Sequence, residues 1–522
     1  MTTATSRRVE PEDSPAPADR RHLLIGALLP PVLLLVGWLA LLPGARWLVN
    51  PDGVVYASLA SDVAGGRVAD VVTGYWSPLL PVLASPLVAL GVTPLTALRL
   101  VLLLSALVAL PVLHSLCRAA GAGPVAAGTA TVLAVPLLLS ASLFGFYPEL
   151  LLAALLLLHL RAMTVSPGPR GAVVAGIWGA LAFLAKAVGL PFVLAFVALV
   201  TVVRLLRPGA ARAQVLRRAG LTLGITLLLS APWIVAISVQ AGHPTLSTAG
   251  AFNAELVTPG AFGNPLNFTG LYAPVPGAVT PWQDPTEIPV QRTERYEGTP
   301  VTTNDRLANA VDQATVGAGV VVRRWLPVVA LALVGLVVGL RRRRRGAAVA
   351  WAGIGAALVL TGGLSLLILI ERYLWFPMLA VLPAAALGLA ALGGRRRVLA
   401  VGAVVLALVA VAQAPVVLDR RGEDRAVWQL AGARCGTPLS GPLAGGGDWE
   451  RSQLMAYLCG VDYVGLTGPD PTSTANQAAL RRVGARHLVV WDRSQGPAGI
   501  ADGGSGRLYD VAPDGSVPAL GR

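Results

Sequence analysis

Apolar windows, many of them 18 to 22 residues long, recur along this chain, and a window of that length can cross a hydrocarbon layer of ~30 Å. They fall near 23–43, 95–115, 124–143, 148–163, 171–185, 188–206, 221–239, 326–340, 347–369, 374–392 and 398–416, with several short or abutting. With 55% apolar and only 13% charged residues, the chain belongs to the integral-membrane class. The expected fold is mainly α: a polytopic membrane protein of about eleven transmembrane helices spanning 23–416, with a small C-terminal α/β domain at 417–522. Residues 1–22, with Pro11, Pro15, Pro17 and several charges, read as a disordered tail. The first window is too long for the core of a cleaved signal peptide and lacks a small-residue cleavage site after it.

The formal net charge of +14 is arranged in short clusters between apolar windows, which is the pattern of the positive-inside rule. It is not a stripe that tracks phosphates, so no nucleic-acid partner is expected. Arg7, Arg8, Arg20, Arg21, Arg118, Arg161, Arg170, Arg204 to Arg218, Arg341 to Arg345 and Arg395 to Arg397 all fall on one side. Every Asp and Glu after Asp19 falls on the other side or in its adjoining loops. The expected location is a plasma membrane, multi-pass, with the N-terminus cytoplasmic and the C-terminal domain extracytoplasmic. Arg323 and Arg324 sit awkwardly at the outer end of the 326–340 window, where they can snorkel to headgroups or contact an anionic ligand.

The outer face then holds a loop at 44–94, the turn Gly145–Glu149, a long loop at about 240–322 and everything after Pro415. The long loop is rich in Pro, Gly, Asn and Thr and has no long helical pattern before Asp305-Arg306, and loops of that kind are commonly functional or disordered. After residue 417, helices are expected at Glu450–Leu458 and Thr474–Val483 and strands at Val461–Leu466 and His487–Trp491, with Ala444-Gly445-Gly446-Gly447 as a turn. Cys435 and Cys459 both lie outside, where oxidation permits a disulfide, and Cys117 lies at the inner membrane edge. There is no CxxC, HExxH or His cluster of the kind that holds zinc.

A few polar residues interrupt this pattern. Asp52, in Pro51-Asp52-Gly53, is either a turn former at a helix end or a general base for a hydroxyl. Glu149 starts the fourth window, where it suits the positive end of a helix dipole or could face a cavity. Lys186, the only lysine, breaks an apolar stretch and is either a snorkelling side chain or an ammonium paired with a phosphate. Arg372 stands beside Tyr373 and Trp375, aromatics that suit a membrane interface, and its guanidinium can fork onto phosphate oxygens. Tyr56 shares a helical face with Asp52, and Tyr75 and Trp76 are either interfacial belt residues or platforms for a sugar or lipid. His114, His159 and His243 are scattered and assigned no role, and neither is the glycosylation-type pattern Asn267-Phe268-Thr269.

An Asp soon after the first span, a Tyr four residues on, and then Gly74-Tyr75-Trp76-Ser77-Pro78-Leu79 resembles the first outer loop of the GT-C glycosyltransferases. Those are polytopic enzymes that take sugars from polyprenyl phosphates, and the likeness is to the polyprenyl-phosphate-mannose protein mannosyltransferases and the aminoarabinose transferases. The resemblance implies an inverting transferase with a polyprenyl-phosphate-sugar donor and a glycan, lipid or protein acceptor on the outer face. It makes Asp52 the catalytic base, Glu149 the second acidic site that binds acceptor or a divalent cation such as Mg or Mn, and Lys186 and Arg372 the donor-phosphate contacts. Lys186 fits through Ala185-Lys186 followed closely by Gly189, and Arg372 through Arg372-Tyr373 before a proline-containing helix. Tyr56, Tyr75, Trp76 and Tyr373 form the substrate platform. Many relatives carry an acidic pair in the first loop, whereas Gly53 follows the Asp here, and no family position matches Asp62 or Asp70. The alternatives are a transporter or flippase of a lipid-linked intermediate, or a non-catalytic GT-C-like protein of the cell envelope; no internal repeat of the transporter kind is present.

Overall fold

The computed structural model describes residues 17–250, 270–273, 303–341, 346–436, 439–491 and 506–517. Most of the long outer loop, the pattern at Asn267-Phe268-Thr269 and Arg342 to Arg345 lie outside them.

The helical part begins with α1 (Pro17–Ala45), so the first helix starts inside the stretch expected to be a disordered tail. It is followed by α2 (Pro51–Ala64), α3 (Leu79–Ala89), α4 (Pro94–Ala119), α5 (Pro124–Val132), α6 (Val135–Leu143), α7 (Glu149–Val165), α8 (Gly168–Ala185), α9 (Gly189–Leu205) and α10 (Arg212–Ala241). After the long loop come α11 (Thr303–Arg341), α12 (Ala347–Ser365), α13 (Trp375–Ala380), α14 (Leu382–Ala391) and α15 (Arg395–Leu418). Proline opens α2, α4 and α5, where its fixed φ suits the first turn and its missing N–H costs nothing.

Among the described residues eight helices are long and apolar enough to cross a membrane, or nine if the bent pair α13–α14 is one span. The eleven windows of the sequence also included α7 and α9, which have 17 residues each and fall just short of that length. Small residues let these helices approach backbone to backbone. A Cβ on Gly335 would run into the Ala384 carbonyl, and one on Gly388 into that of Leu331, which sets the close crossing of α11 and α14.

The C-terminal part contains α16 (Arg425–Arg434), α17 (Trp449–Cys459) and α18 (Thr474–Arg482) around a five-stranded sheet. Its strands are β1 (Gly270–Leu271), β2 (Leu443–Gly446), β3 (Tyr463–Leu466), β4 (His487–Trp491) and β5 (Gly506–Asp510), in the order β1-β3-β2-β4-β5. The inner pairs β3-β2 and β2-β4 are parallel, and both edges are antiparallel. Two features correct the reading of the sequence. The glycine-rich stretch expected as a turn lies largely in the central strand, Leu443–Gly446, because Gly445 lies so close under α17 that a Cβ there would strike the Ser452 side chain. The edge strand β1 comes from the long outer loop, which therefore joins the C-terminal sheet through Gly270 and Leu271. Cys435 and Cys459 are disulfide-bonded, tying the end of α16 to the end of α17, and Cys117 is buried and free.

Candidate functional site

Asp52, Glu149, Lys186 and Arg372, separated by up to 320 positions in the sequence (372 − 52), meet in one chain of ion pairs. Each arrives from a different break in the helical bundle. Asp52 lies in the first turn of α2, Glu149 opens α7, Lys186 sits in extended backbone between α8 and α9, and Arg372 lies in the 3-10 turn Glu371–Leu374 before α13. A carboxylate in the first turn of a helix gains from the positive end of the dipole, so α2 and α7 both favour ionised acids at these points.

Two backbone-directed side chains fix this arrangement. The carbonyls that end α1 need donors, and Arg99 supplies them, bonding to Ala45, Arg46 and Leu48 at 3.1, 2.9 and 2.7 Å while its guanidinium lies 4.8 Å from the Phe146 ring. Asn50, the N-cap of α2, makes no side-chain cap; its Oδ1 instead accepts from the Phe146 N–H at 2.8 Å. That bond ties the α2 start to the turn before α7, holding Asp52 and Glu149 to one another. Neither Arg99 nor Asn50 was singled out from the sequence. An arginine at the end of a span expected to lie outside, against the charge bias, was the signal for Arg99.

Lys186 Nζ donates to Glu149 Oε1 at 2.6 Å, and Arg372 Nε stands 3.1 Å from the same oxygen. Arg372 also reaches Asp52 Oδ2 at 3.5 Å. The Glu149 side chain is only 2% exposed, while those of Asp52, Lys186 and Arg372 keep 20 to 25% open. Burial raises the Asp52 pKa above the ordinary carboxylate value, against the opposing pull of Arg372.

Aromatic rings surround the cations. Arg372 lies 4.3 Å from the Tyr147 ring centre and 5.7 Å from that of Tyr373, and Lys186 lies 4.9 Å from Tyr373. Tyr56 is buried with its ring 5.2 Å from Trp76, which in turn meets Tyr75 at 4.7 Å. The residues expected to form a platform fall in two groups, Tyr56, Tyr75 and Trp76 on α2 and the following loop, and Tyr373 at the turn before α13.

Arg372 also lines a cavity of about 330 Å³ with Tyr147, Trp375, Arg324, Glu371 and Arg420. Arg324 pairs with Glu371 at 3.4 Å, and Arg420 donates to the Phe144 carbonyl at 3.2 Å. Arg324 therefore belongs to this cavity rather than only to the headgroup region. Arg420, missed in the sequence, follows the last span and gave no local sign of reaching back to residue 144.

A divalent cation does not fit this donor set as it stands. The guanidinium of Arg372 bridges the two carboxylates and Lys186 holds Glu149, so the position between Asp52 and Glu149 carries positive charge already. Among the described residues no three His, Cys, Asp or Glu side chains converge on a point. Asp62 and Asp70, which no family position matched, pair with Arg67 at 2.5 and 3.8 Å on the surface.

No protein-family model matches the sequence, and no curated protein matches it. Solved structures do resemble it. ArnT from Cupriavidus metallidurans in the apo state aligns with 96% of this chain and 100% of its own at a TM-score of 0.60 and 16% identity. The same protein bound to undecaprenyl phosphate aligns with 94% and 99%, again at 0.60 and 16%. The archaeal oligosaccharyltransferase AglB from Archaeoglobus fulgidus, in complex with an inhibitory peptide and a dolichol-phosphate, aligns with 91% of this chain and 69% of its own at 0.56 and 12%. At 16% and 12% identity these likenesses show a shared fold, which extends over nearly the whole of this chain. The chain has a GT-C-like fold, as the first outer loop implied.

Proposed function

We propose that this protein is a membrane glycosyltransferase that moves a monosaccharide from a polyprenyl-phosphate donor to a glycan, lipid or protein acceptor on the outer face, with inversion. The observation that carries the reading is the convergence of Asp52, Arg372, Glu149 and Lys186 in one ion-paired chain beside an arginine-lined cavity. The undecaprenyl phosphate and dolichol-phosphate bound by the structural neighbours support a lipid phosphate as the donor's anionic end.

In this reading the donor phosphate enters the cavity and draws the Arg372 guanidinium to itself, in the fork that suits phosphate oxygens. The long Asp52 contact of 3.5 Å is the weaker of the two held by Arg372 and yields first. Losing that cation raises the basicity of Asp52 just as substrate arrives. Asp52 then takes the proton of the acceptor hydroxyl as its oxygen forms a bond to the anomeric carbon; the carbon–oxygen bond to phosphate breaks, and the electron pair leaves on phosphate. Lys186 and Arg372 stabilise that developing charge, and Glu149 keeps Lys186 in place. Tyr56, Tyr75, Trp76 and Tyr373 offer faces to the sugar and lipid. With Asp52, Glu149 and the C-terminal domain on the outer face, the arginine clusters face the cytoplasm.

The test is turnover of purified protein in lipid with a panel of polyprenyl-phosphate sugars. Asp52→Asn is expected to lower sugar release on the order of 10²- to 10⁴-fold while changing donor affinity only a few-fold. Normal turnover by Asp52→Asn would remove the base assignment. Movement of the lipid across the bilayer without sugar release would replace the transferase by a transporter.

A further inference from the structure

At the other end of the helical body from Glu149, a second cavity of about 320 Å³ opens between the α7–α8 turn and the facing ends of α9 and α10. The 17 residues of α7, rising ~1.5 Å each, separate it from the carboxylate site by most of a hydrocarbon thickness. Arg204, Arg217, Arg218 and Gln214 line it together with the Pro167-Gly168-Pro169 turn.

These arginines differ from a solvated positive run. Arg218 Nη2 donates to the carbonyls of Ala162, Met163 and Ser166 at 3.0, 3.0 and 2.8 Å, and Arg204 Nη2 donates to that of Met163 at 2.8 Å. The groups they bond are the terminal carbonyls of α7, which hold both guanidinium groups rigidly in the cavity wall. Arg217 and Gln214 are exposed on the first turns of α10. Among the described residues none of the three arginines has an acidic partner. Val203 on α9, Leu206 just after it and Leu216 on α10 are exposed apolar side chains, at 45, 78 and 54%. Fixed positive charge in a pocket at one membrane boundary, flanked by exposed apolar side chains, matches an amphiphile with an anionic head.

We propose that this cavity binds the phosphate headgroup of an anionic phospholipid in the leaflet opposite the carboxylate site, with Arg204, Arg217 and Arg218 facing the phosphate and its acyl chains along α9 and α10. A soluble phosphate ester shares the head chemistry but not the chains, and the experiment separates the two. Full-length protein in detergent is examined by native mass spectrometry with phosphatidylglycerol, phosphatidylcholine or glycerol 3-phosphate added. Phosphatidylglycerol should be retained about tenfold over phosphatidylcholine, and Arg217→Glu, which changes two unit charges, should weaken retention about 25-fold. Gln214→Glu, also exposed, should weaken it about fivefold, and Arg396→Glu, on the exposed run that opens α15, should leave it unchanged. Equal retention of the two lipids, or an undiminished Arg217→Glu, would overturn the proposal. Displacement of phosphatidylglycerol by an equal concentration of glycerol 3-phosphate would overturn the lipid assignment in favour of a soluble ester.

Discussion

Gly53 stands where the resemblance of the first loop implied a second acid, and the turn before α7 leaves no room for one. A Cβ at Gly53 would come within 2.6 Å of the Phe146 ring, whose backbone N–H is held by Asn50. The ring fills the space that a second carboxylate beside Asp52 would need, so the first loop gives the ion-paired cluster Asp52 alone and the other acid there is Glu149. Gly53→Asp should force Phe146 aside, costing about 1–3 kcal/mol, with a lower Tm and reduced turnover. Adding Phe146→Ala should recover part of the Tm loss, and strictly additive losses would show that the two positions do not meet. The bridging guanidinium gives a second expectation: chelation by EDTA should change sugar transfer less than about twofold, because cationic side chains already occupy the place between the acids. A tenfold loss restored by Mg or Mn would contradict it. The four charged residues were legible in the sequence because a charge inside or beside an apolar window is costly and needs a reason. Arg99, Asn50 and Arg420 were not, because their partners are backbone groups of remote segments.

At the scale of elements, apolar length marked the helical spans well, and it failed where helices were short or bent. The break at Lys186 illustrates both: the abutting windows 171–185 and 188–206 correspond to α8 and α9, and the lysine stands in the extended link between them. In the C-terminal sheet, β3, β4 and the helices α17 and α18 follow their apolar patterns, whereas β2 is glycine-rich because α17 packs onto it. Composition alone reads such a segment as a turn. The two-residue β1 carries too little pattern to show in a sequence and exists through pairing with β3. The Cys435–Cys459 bond spans 24 positions and closes the loop that includes β2. Removing it with Cys459→Ser should destabilise the C-terminal domain by about 3 kcal/mol in the chain-entropy picture. Limited proteolysis between residues 435 and 459 should accelerate accordingly, and an unchanged cleavage rate would show that packing against the helical body alone holds the loop.

The two parts of the molecule join beside the helix that carries Asp52. Val49 donates its N–H to Asp424 Oδ2 at 2.9 Å, Trp428 Nε1 donates to the Trp47 carbonyl at 2.8 Å, and α17 packs on α2, the helix that carries Asp52. The C-terminal domain therefore bears on the geometry of Asp52, and its junction is rich in carboxylates. Burial pushes the Asp424 carboxyl up to about 7; the Val49 N–H and Arg451 oppose the rise, while Glu423 and Asp448 add to it. The Glu450 carboxyl is also raised to about 7, by desolvation and by the Asp448, Asp424, Glu423 and Asp52 carboxylates, and because its side chain is exposed to solvent its share is smaller. Between the unfolded value of 3.8 and about 7 the folded state binds more protons than the unfolded one, so stability is greatest below that window and falls as pH rises through it. The junction should consequently melt at a higher temperature at pH 5 than at pH 8, and Asp424→Asn, which keeps an oxygen for Val49 and cannot ionise, should flatten the difference. Thermal melting of both proteins across pH 4 to 8 decides the matter. A wild-type Tm that rises over this window, or a slope that Asp424→Asn leaves intact, would show that Asp424 is not the controlling group.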